Sequence, residues 1–274
     1  MGILNVTPDS FSGDGIIAKG DAVDFAVQQA AEFLEHGADI LDVGGESTRP
    51  GSTPVNAEEE MERVIPVIDA LHTNFPNAII SIDTYKARVA EAAIRAGAHI
   101  INDVWGFRAD SEIASVAAKH KSPVILMHNR SNPASVEVRE KLGGTYLGAE
   151  YDDLLEDVKR ELLVSVEIAK KDGVQENVIL LDPGIGFGKT REHNLELINR
   201  LGEIRALGYP ILLGTSRKSF IGFTLDLPPD QRIEGTAATV AVGITRGADI
   251  IRVHDVKEMA RAAKMTDAMV RNTT

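Results

Sequence analysis

The 274-residue chain contains no cysteine. Disulfides, thiolate metal sites and a cysteine nucleophile are therefore excluded, while nothing firm follows about compartment. Positive charge is also scarce: 29 Lys and Arg stand against 41 Asp and Glu, a formal net charge of −12. That balance argues against a nucleic-acid or anionic-membrane surface, and it requires any phosphate-bearing ligand to be held by a local cluster of cations. No apolar run reaches the ~18 residues of a membrane span, and no charged segment leads into an apolar one at the start, so a cytoplasmic protein is expected. The seven histidines show no HExxH or similar spacing, which predicts no bound zinc. Repeats, low-complexity segments and Pro- or Ser-rich linkers are missing too. With 43% hydrophobic residues, the chain can build a substantial core, and its length fits one large α/β domain over 1–274.

What is present is alternation. Short apolar runs at 2–5, 40–43, 79–82, 100–102, 124–127, 178–181, 211–214 and 250–253 read as strands. Amphipathic stretches at 21–36, 57–75, 86–96, 112–120, 151–171, 192–206, 235–246 and 256–270 read as helices. Eight alternating with eight predicts an α/β fold, a single (β/α)8 TIM barrel with the ligand site at the C-terminal ends of the strands. Three helix-to-strand joints repeat a short signature: Gly37-Ala38-Asp39, Gly97-Ala98-His99 and Gly247-Ala248-Asp249. There the glycine can adopt the left-handed conformation that ends a helix, a structural role without chemistry.

Every predicted strand ends in a polar residue: Asn5, Asp42 with Glu46, Asp83, Asn102, His128, Asp182, Ser216 with Arg217 and Lys218, and Arg252 with His254. Polar groups converging on one rim cost desolvation unless a ligand satisfies them. For single members a plainer role stays open; Asp42 and Glu46 could cap helices or pair with arginines. The loop 6–15 is rich in turn formers, and 44–52 carries Gly, Ser and an exposed cation; both read either as flaps or as ordinary surface loops.

Near the C-terminus, Arg252-Val253-His254-Asp255 leads from a strand into a helix, with Asp255 placed as its N-cap. Arg252 and His254 are two apart and would face the free N–H groups of that helix, an anion site in outline; a surface Arg and a loop His is the bland alternative. The run Asp182-Pro183-Gly184-Ile185-Gly186-Phe187-Gly188-Lys189 superficially suggests a P-loop, but Pro183 occupies the position that must be glycine, so an NTPase is rejected. Asp182 is given the work, with the glycines admitting a close approach to a flat ligand. Ser216-Arg217-Lys218-Ser219 sits where barrels often bind phosphate, although a surface basic pair is possible. The connection 129–150 is read as a flexible lid or partner contact, and the acidic runs 58–60 and 152–157 as solvated helix faces.

The motifs Gly2-Ile3-Leu4-Asn5-Val6-Thr7-Pro8-Asp9-Ser10-Phe11, Asp42-Val43-Gly44-Gly45-Glu46-Ser47-Thr48-Arg49-Pro50-Gly51, Ser81-Ile82-Asp83-Thr84, Ile101-Asn102-Asp103, Met127-His128, Leu181-Asp182-Pro183-Gly184, Ser216-Arg217-Lys218-Ser219 and Arg252-Val253-His254-Asp255-Val256 together resemble the dihydropteroate synthase family, the folate-pathway enzymes that sulfonamides inhibit. They run from residue 2 to residue 256, and jointly they are highly specific.

The resemblance implies condensation of 6-hydroxymethyl-7,8-dihydropterin diphosphate with p-aminobenzoate, giving 7,8-dihydropteroate and diphosphate, with Mg2+. It assigns pterin binding to Asp83, Asn102, Met127, Asp182, Phe187, Gly214, Lys218 and Arg252. Diphosphate would fall to Asn5, Arg252, His254, Thr48 and Arg49, and p-aminobenzoate to Phe11, Thr48, Arg49, Pro50, Phe187, Lys218 and Ser219. Lys218, Arg252, His254 and Asp83 would be catalytic; Asn5 and Asp14 would hold the metal. A homodimer is implied. Three departures qualify the transfer. Ser12-Gly13-Asp14-Gly15 shifts the usual loop aspartate by one position. Met1 abuts the first strand, so the family's plug below the barrel is either absent or precedes this sequence. Trp105 in Asn102-Asp103-Val104-Trp105-Gly106 adds a bulky wall near the pterin site. Two other readings are weighed: a methyltetrahydrofolate-binding methyltransferase module, which as read has no need for the Ser-Thr-Arg-Pro-Gly and Ser-Arg-Lys-Ser loops, and a non-catalytic pterin-binding paralogue, which would be expected to have lost Asp182, Lys218, Arg252 or His254.

Overall fold

A computed structural model describes residues 1–7, 19–47, 52–132, 136–139 and 142–271. The chain forms two compact units: 1–48, 52–126 and 165–179 make the first, and 49–51, 127–164 and 180–274 the second.

The first unit is a parallel sheet in chain order: β1 (Gly2–Asn5), β2 (Ile40–Gly44), β3 (Ile79–Asp83), β4 (Ile100–Asp103) and β5 (Val124–Met127, its last residue in the second unit). The strands are nearly continuous apolar runs, as strands covered on both faces must be; Leu41, Val43, Ile80, Ile82, Ile101 and Ile125 are fully buried. The connections are α1 (Lys19–Glu35), α2 (Ala57–Asn74), α3 (Ala87–Arg95) and α4 (Ile113–His120), each packed on the next. Asn56 caps α2 by accepting the Glu59 N–H at 2.9 Å, and Glu58, Glu59 and Glu60 complement the positive end of its dipole. The glycine joints behave as the sequence predicts, with φ of 91° at Gly37, 115° at Gly97 and 101° at Gly247.

In the second unit, β8 (Ile179–Asp182, its first residue in the first unit) joins Ile211 through a parallel bridge at Leu181, and β9 (Leu212–Leu213) pairs in parallel with β10 (Ile250–Ile251). The last two strands are shorter than 211–214 and 250–253, although the Arg252 N–H still reaches the Leu213 carbonyl at 3.0 Å. The helices are α5 (Leu154–Lys171, whose C-terminal part belongs to the first unit), α6 (Arg191–Asn199), α7 (Leu201–Arg205), α8 (Ser219–Leu225), α9 (Ile233–Thr245) and α10 (Val256–Val270). The single helix expected at 192–206 is therefore two. Arg200 leaves helical geometry at φ −105°, ψ 19°, while Leu197, Leu201 and Ile204 stay fully buried across the break.

Three expectations need correction. The connection 129–150 holds an antiparallel hairpin, β6 (Val136–Arg139) with β7 (Gly143–Tyr146), and Gly143 and Gly144 lie in its ladder. The alternating Val136-Glu137-Val138-Arg139 was the available signal. The acidic runs are not merely solvated: Glu60 is 1% exposed and accepts from Lys86, and Asp157 is 3% exposed and pairs with Arg160 at 2.7 Å and Arg130 at 3.2 Å. The short helix α8, directly after Lys218, is not among the eight helices expected from periodicity.

Candidate active site

In the first unit, backbone register builds the site. Asn5 lies opposite Gly44, Gly44 opposite Asp83, and Asp83 opposite Asn102, so the carboxamides and the carboxylate form one row across four strands at their C-terminal ends. Since side chains alternate faces with period two, Asp42 shares the face of Gly44. Asp42 is fully buried, and its carboxylate accepts from the Asn102 Nδ2 at 3.3 and 3.5 Å, which orients that amide. That is neither of the plain roles left open for Asp42, a helix cap or an arginine pair. Glu46 too has a partner, a lysine rather than an arginine: Lys86 donates to both Glu46 and Glu60, and Tyr85 donates to Glu46 at 3.3 Å. Arg63 grips the Gly45 carbonyl at 2.7 Å, so the root of the loop after β2 is pinned on two sides. Beyond Asn102, the buried Asp103 accepts the N–H groups of Trp105 at 2.7 Å and Phe107 at 2.8 Å and shapes the turn there; burial pushes its carboxyl up to about 6.

In the second unit, the site sits on loops. Asp182 ends β8, 6% exposed, and its Oδ1 accepts the Gly184 N–H at 2.7 Å. Burial raises its carboxyl above the ordinary carboxylate range, opposed by Lys218, the Gly184 N–H, Arg252 and Lys189. The turn that follows needs its glycines. Gly184 has φ 68°, and a Cβ there would lie 1.8 Å from the His128 carbonyl oxygen; Gly188 has φ 65°, and a Cβ would lie 2.3 Å from the Arg130 carbonyl carbon. The turn thus lies flush on the backbone that leaves β5. Met127, 4% exposed, packs at its base. Lys218 extends over the Phe187 ring, Nζ 4.4 Å from the centroid, and donates to the Ile185 carbonyl.

Of the adjacent Arg217 and Lys218, only the lysine faces Asp182. The Arg217 guanidinium forms a two-pronged pair with Asp255, Nε to Oδ2 at 2.9 Å. Asp255 occupies the N-cap position of α10 but makes no side-chain cap bond, because Arg217 holds its carboxylate. The expected cap is corrected accordingly: the first N–H groups of α10 receive nothing from that side chain. His254 is fixed by Ser216, whose Oγ lies 3.1 Å from the His254 N–H and 3.0 Å from its Nδ1. Gly214 lies beside Arg252, a Cβ there falling 3.9 Å from the arginine's Cβ. Ser219 opens α8 immediately after Lys218.

The structure therefore gathers Asn5, Asp83 and Asn102 in one unit, and Met127, Asp182, Phe187, Gly214, Lys218, Ser219, Arg252 and His254 in the other. Phe11, Asp14, Thr48, Arg49 and Pro50 lie outside the described residues. Among the described residues, no three His, Asp or Glu side chains form a cluster able to hold a metal by themselves. Sequence reasoning missed Lys189. Its Nζ, in a side chain 2% exposed, lies 2.9 Å from His128 Nδ1 and donates to the carbonyls of Gly184 at 2.9 Å and Phe187 at 3.0 Å.

These arrangements coincide with strong likenesses to known proteins. Residues 1–254 match the pterin binding enzyme family. The chain is 54% identical to the dihydropteroate synthase of Clostridium beijerinckii over 272 residues, 99% of this chain and 94% of the relative. A solved dihydropteroate synthase from Clostridium difficile, in the presence of pteroic acid, superposes with a TM-score of 0.89 at 50% identity, covering 99% of this chain and 96% of that one. That from Xanthomonas albilineans with 4-aminobenzoic acid gives 0.88 at 39% identity, covering 100% and 93%. The fold class is thereby α/β, the (β/α)8 barrel of these enzymes. The chain belongs to the pterin-binding enzymes and, among them, to the dihydropteroate synthase family, transferases of folate synthesis.

Proposed function

We propose that the enzyme joins 6-hydroxymethyl-7,8-dihydropterin diphosphate to p-aminobenzoate, forming 7,8-dihydropteroate and diphosphate. The observation that carries this reading is the buried Asp182 carboxylate facing Lys218 and Arg252, with Lys218 also lying over Phe187. A pterin's aminopyrimidine edge offers two parallel N–H donors, and a buried carboxylate that would otherwise stay desolvated accepts both. An analogue without those donors would strand the carboxylate, which is a strong source of selectivity. Lys218 reaches the ring oxygen and nitrogen, Arg252 stacks on the ring, and Met127 and Phe187 supply apolar walls; the family resemblance assigns Asp83 and Asn102 to pterin binding as well. The pteroic acid and 4-aminobenzoic acid bound to relatives support these two substrate classes.

The bond between the pterin methylene carbon and the diphosphate oxygen breaks first, its electron pair leaving with diphosphate. The arylamine nitrogen then attacks the electron-poor methylene, forms the C–N bond and releases one proton. No covalent enzyme intermediate is required. Arg252, His254 and the start of α10 stabilise the departing diphosphate, and such preorganised electrostatics is usually the largest catalytic term. The α10 N–H groups suit this, since Asp255 does not cap them. Mg2+ commonly takes only one or two protein oxygens, with substrate phosphates and water completing its shell, so the lack of an all-protein cluster among the described residues is compatible with it. Asn5 offers one amide oxygen, Asp14 would be the second ligand, and the ion would offset diphosphate charge. The family resemblance further assigns p-aminobenzoate to Phe11, Thr48, Arg49, Pro50 and Ser219, and diphosphate also to Thr48 and Arg49. A homodimer and a cytoplasmic location extend this reading from the family; separately, no described helix is long and apolar enough to cross a membrane.

The test is diphosphate release from the dihydropterin diphosphate with Mg2+, with and without p-aminobenzoate, the pterin product identified by mass. Release coupled to dihydropteroate supports the proposal; tight pterin binding with neither release nor product overturns it.

A further inference from the structure

We propose that Lys189, held against His128 and Glu161, is a positioning residue that sets the pterin-binding carboxylate Asp182 and the ring of Phe187 through the glycine turn between them. The inference rests on the pterin reading of Asp182 given above. Asp182 is held at two points: its carboxylate by the Gly184 N–H at 2.7 Å and its carbonyl by the His128 N–H at 2.9 Å. Lys189 binds the residues that make both contacts, taking the Gly184 carbonyl and the His128 ring at 2.9 Å each, and its remaining bond goes to the Phe187 carbonyl at 3.0 Å. One buried amine thus stands a single residue away from the pterin acceptor on both sides and directly behind the apolar wall.

Charged groups also flank the pair. On its far side, His128 Nε2 lies 3.1 Å from Glu161 Oε2. The Glu161 carboxylate is held ionised, its pKa lowered by His128 and by Arg130. Nζ makes three contacts, to two carbonyl oxygens and to Nδ1, the three donations of an ammonium. Burial pulls the lysine well below its ordinary range, opposed by the Asp182 and Glu161 carboxylates. An ammonium so held places one positive charge behind Asp182. Arg130, which bonds Glu161 at 2.9 Å and stacks over Tyr151 at 4.3 Å, Asp157, 3.2 Å from Arg130, and Lys218, whose charge opposes that of Lys189, are the other charged groups around the pair. What Lys189 fixes is the placement and the ionisation of Asp182.

The experiment compares the enzyme with Lys189→Met, which keeps the length and removes the charge and all donors, and Lys189→Gln, which keeps an amide for the carbonyls. Steady-state kinetics with the dihydropterin diphosphate at saturating p-aminobenzoate, and binding of a non-reactive oxidised pterin from pH 5 to 9, are measured on variants shown folded by thermal melting. Lys189→Met is expected to raise KM for the pterin substrate, and Kd for the oxidised pterin, by about tenfold to a hundredfold, with kcat changed less. Losing a neighbouring cation raises a carboxyl pKa, and binding needs the carboxylate, so the acid limb of pterin binding should move to higher pH in both variants. Lys189→Gln is expected to show the smaller KM change and the same pH shift. KM, Kd and the acid limb all unmoved in a folded variant would overturn the inference. Should Lys189→Met fail to fold, Lys189→Gln and His128→Phe carry the same test. A wild-type enzyme that binds no pterin would overturn the proposed function instead, so the two failures are distinct.

Discussion

The two units reach the same end by different means. In the first, Asn5, Asp83 and Asn102 stand on strands, and parallel register sets their spacing before any side chain makes a contact. In the second, Asp182, Phe187, Lys218 and His254 stand at or beyond the ends of short strands, on loops held by buried side chains: Lys189 under the glycine turn, Ser216 against His254, Arg217 on Asp255, and Arg232 behind the Lys218 loop. A ladder spreads positional control over many weak bonds, whereas a pinned loop concentrates it in a few side chains. Substitutions in the second unit should therefore reach further than similar ones in the first.

The largest effect should come from Arg252→Ala, which removes the group placed both on the ring and at the leaving diphosphate. Turnover is expected to fall by about 10²–10³-fold with the melting temperature little changed; an enzyme that keeps full turnover would break the mechanism and leave the comparison standing.

Next is Arg232→Leu. This guanidinium, 2% exposed, donates among the described residues to three carbonyls, those of Leu142 at 2.8 Å, Arg217 at 2.9 Å and Leu227 at 3.1 Å. It ties the hairpin to the Lys218 loop. Three acceptors left without it should cost about 3–4 kcal/mol in denaturant unfolding, and a loss below about 1 kcal/mol would deny that such pins matter.

A comparable effect, of opposite origin, is expected in the first unit. The folded Asp103 carboxyl holds its proton up to about pH 6, while the unfolded one loses it near the ordinary 3.8. The folded state then binds more protons across that window, so stability falls as pH rises through it, by about 3 kcal/mol in all. Asp103→Asn should lack that slope, whatever its absolute stability, when urea midpoints are followed from pH 4 to 7.

The finest comparison uses one substitution twice. Gly184→Ala puts a Cβ 1.8 Å from a main-chain oxygen at φ 68° and should cost about 2 kcal/mol together with pterin affinity. Gly44→Ala, in the strand row, meets the Asp83 Cβ at an ordinary 3.5 Å and should cost less than about 1 kcal/mol. Equal losses would erase the distinction between laddered and pinned halves.

Much was legible in the chain itself. The eight apolar runs, the glycine joints and the polar strand ends are local patterns, so their periodicity and turn chemistry survive folding. What stayed hidden was partnership. Arg217 and Lys218 are neighbours, and only the position of Asp255, 38 residues away, decides which of them is consumed. Likewise, whether Asp255 caps α10, whether Glu60 faces water and whether Lys189 is buried depend on side chains brought in from other elements. The failure at the hairpin was of another kind, a pair of glycines weighed more heavily than the alternation beside them.

By itself, then, the sequence determined the alternation of strand and helix, the turns that only glycine permits, and the residue types available at each strand end. Tertiary structure alone decided which strand ends share a row, which cation meets Asp182 and which buried lysine sets that carboxylate. The reason is range: periodicity and backbone conformation are settled within a few residues, whereas register, desolvation and charge pairing are settled between segments that the chain separates by tens of residues.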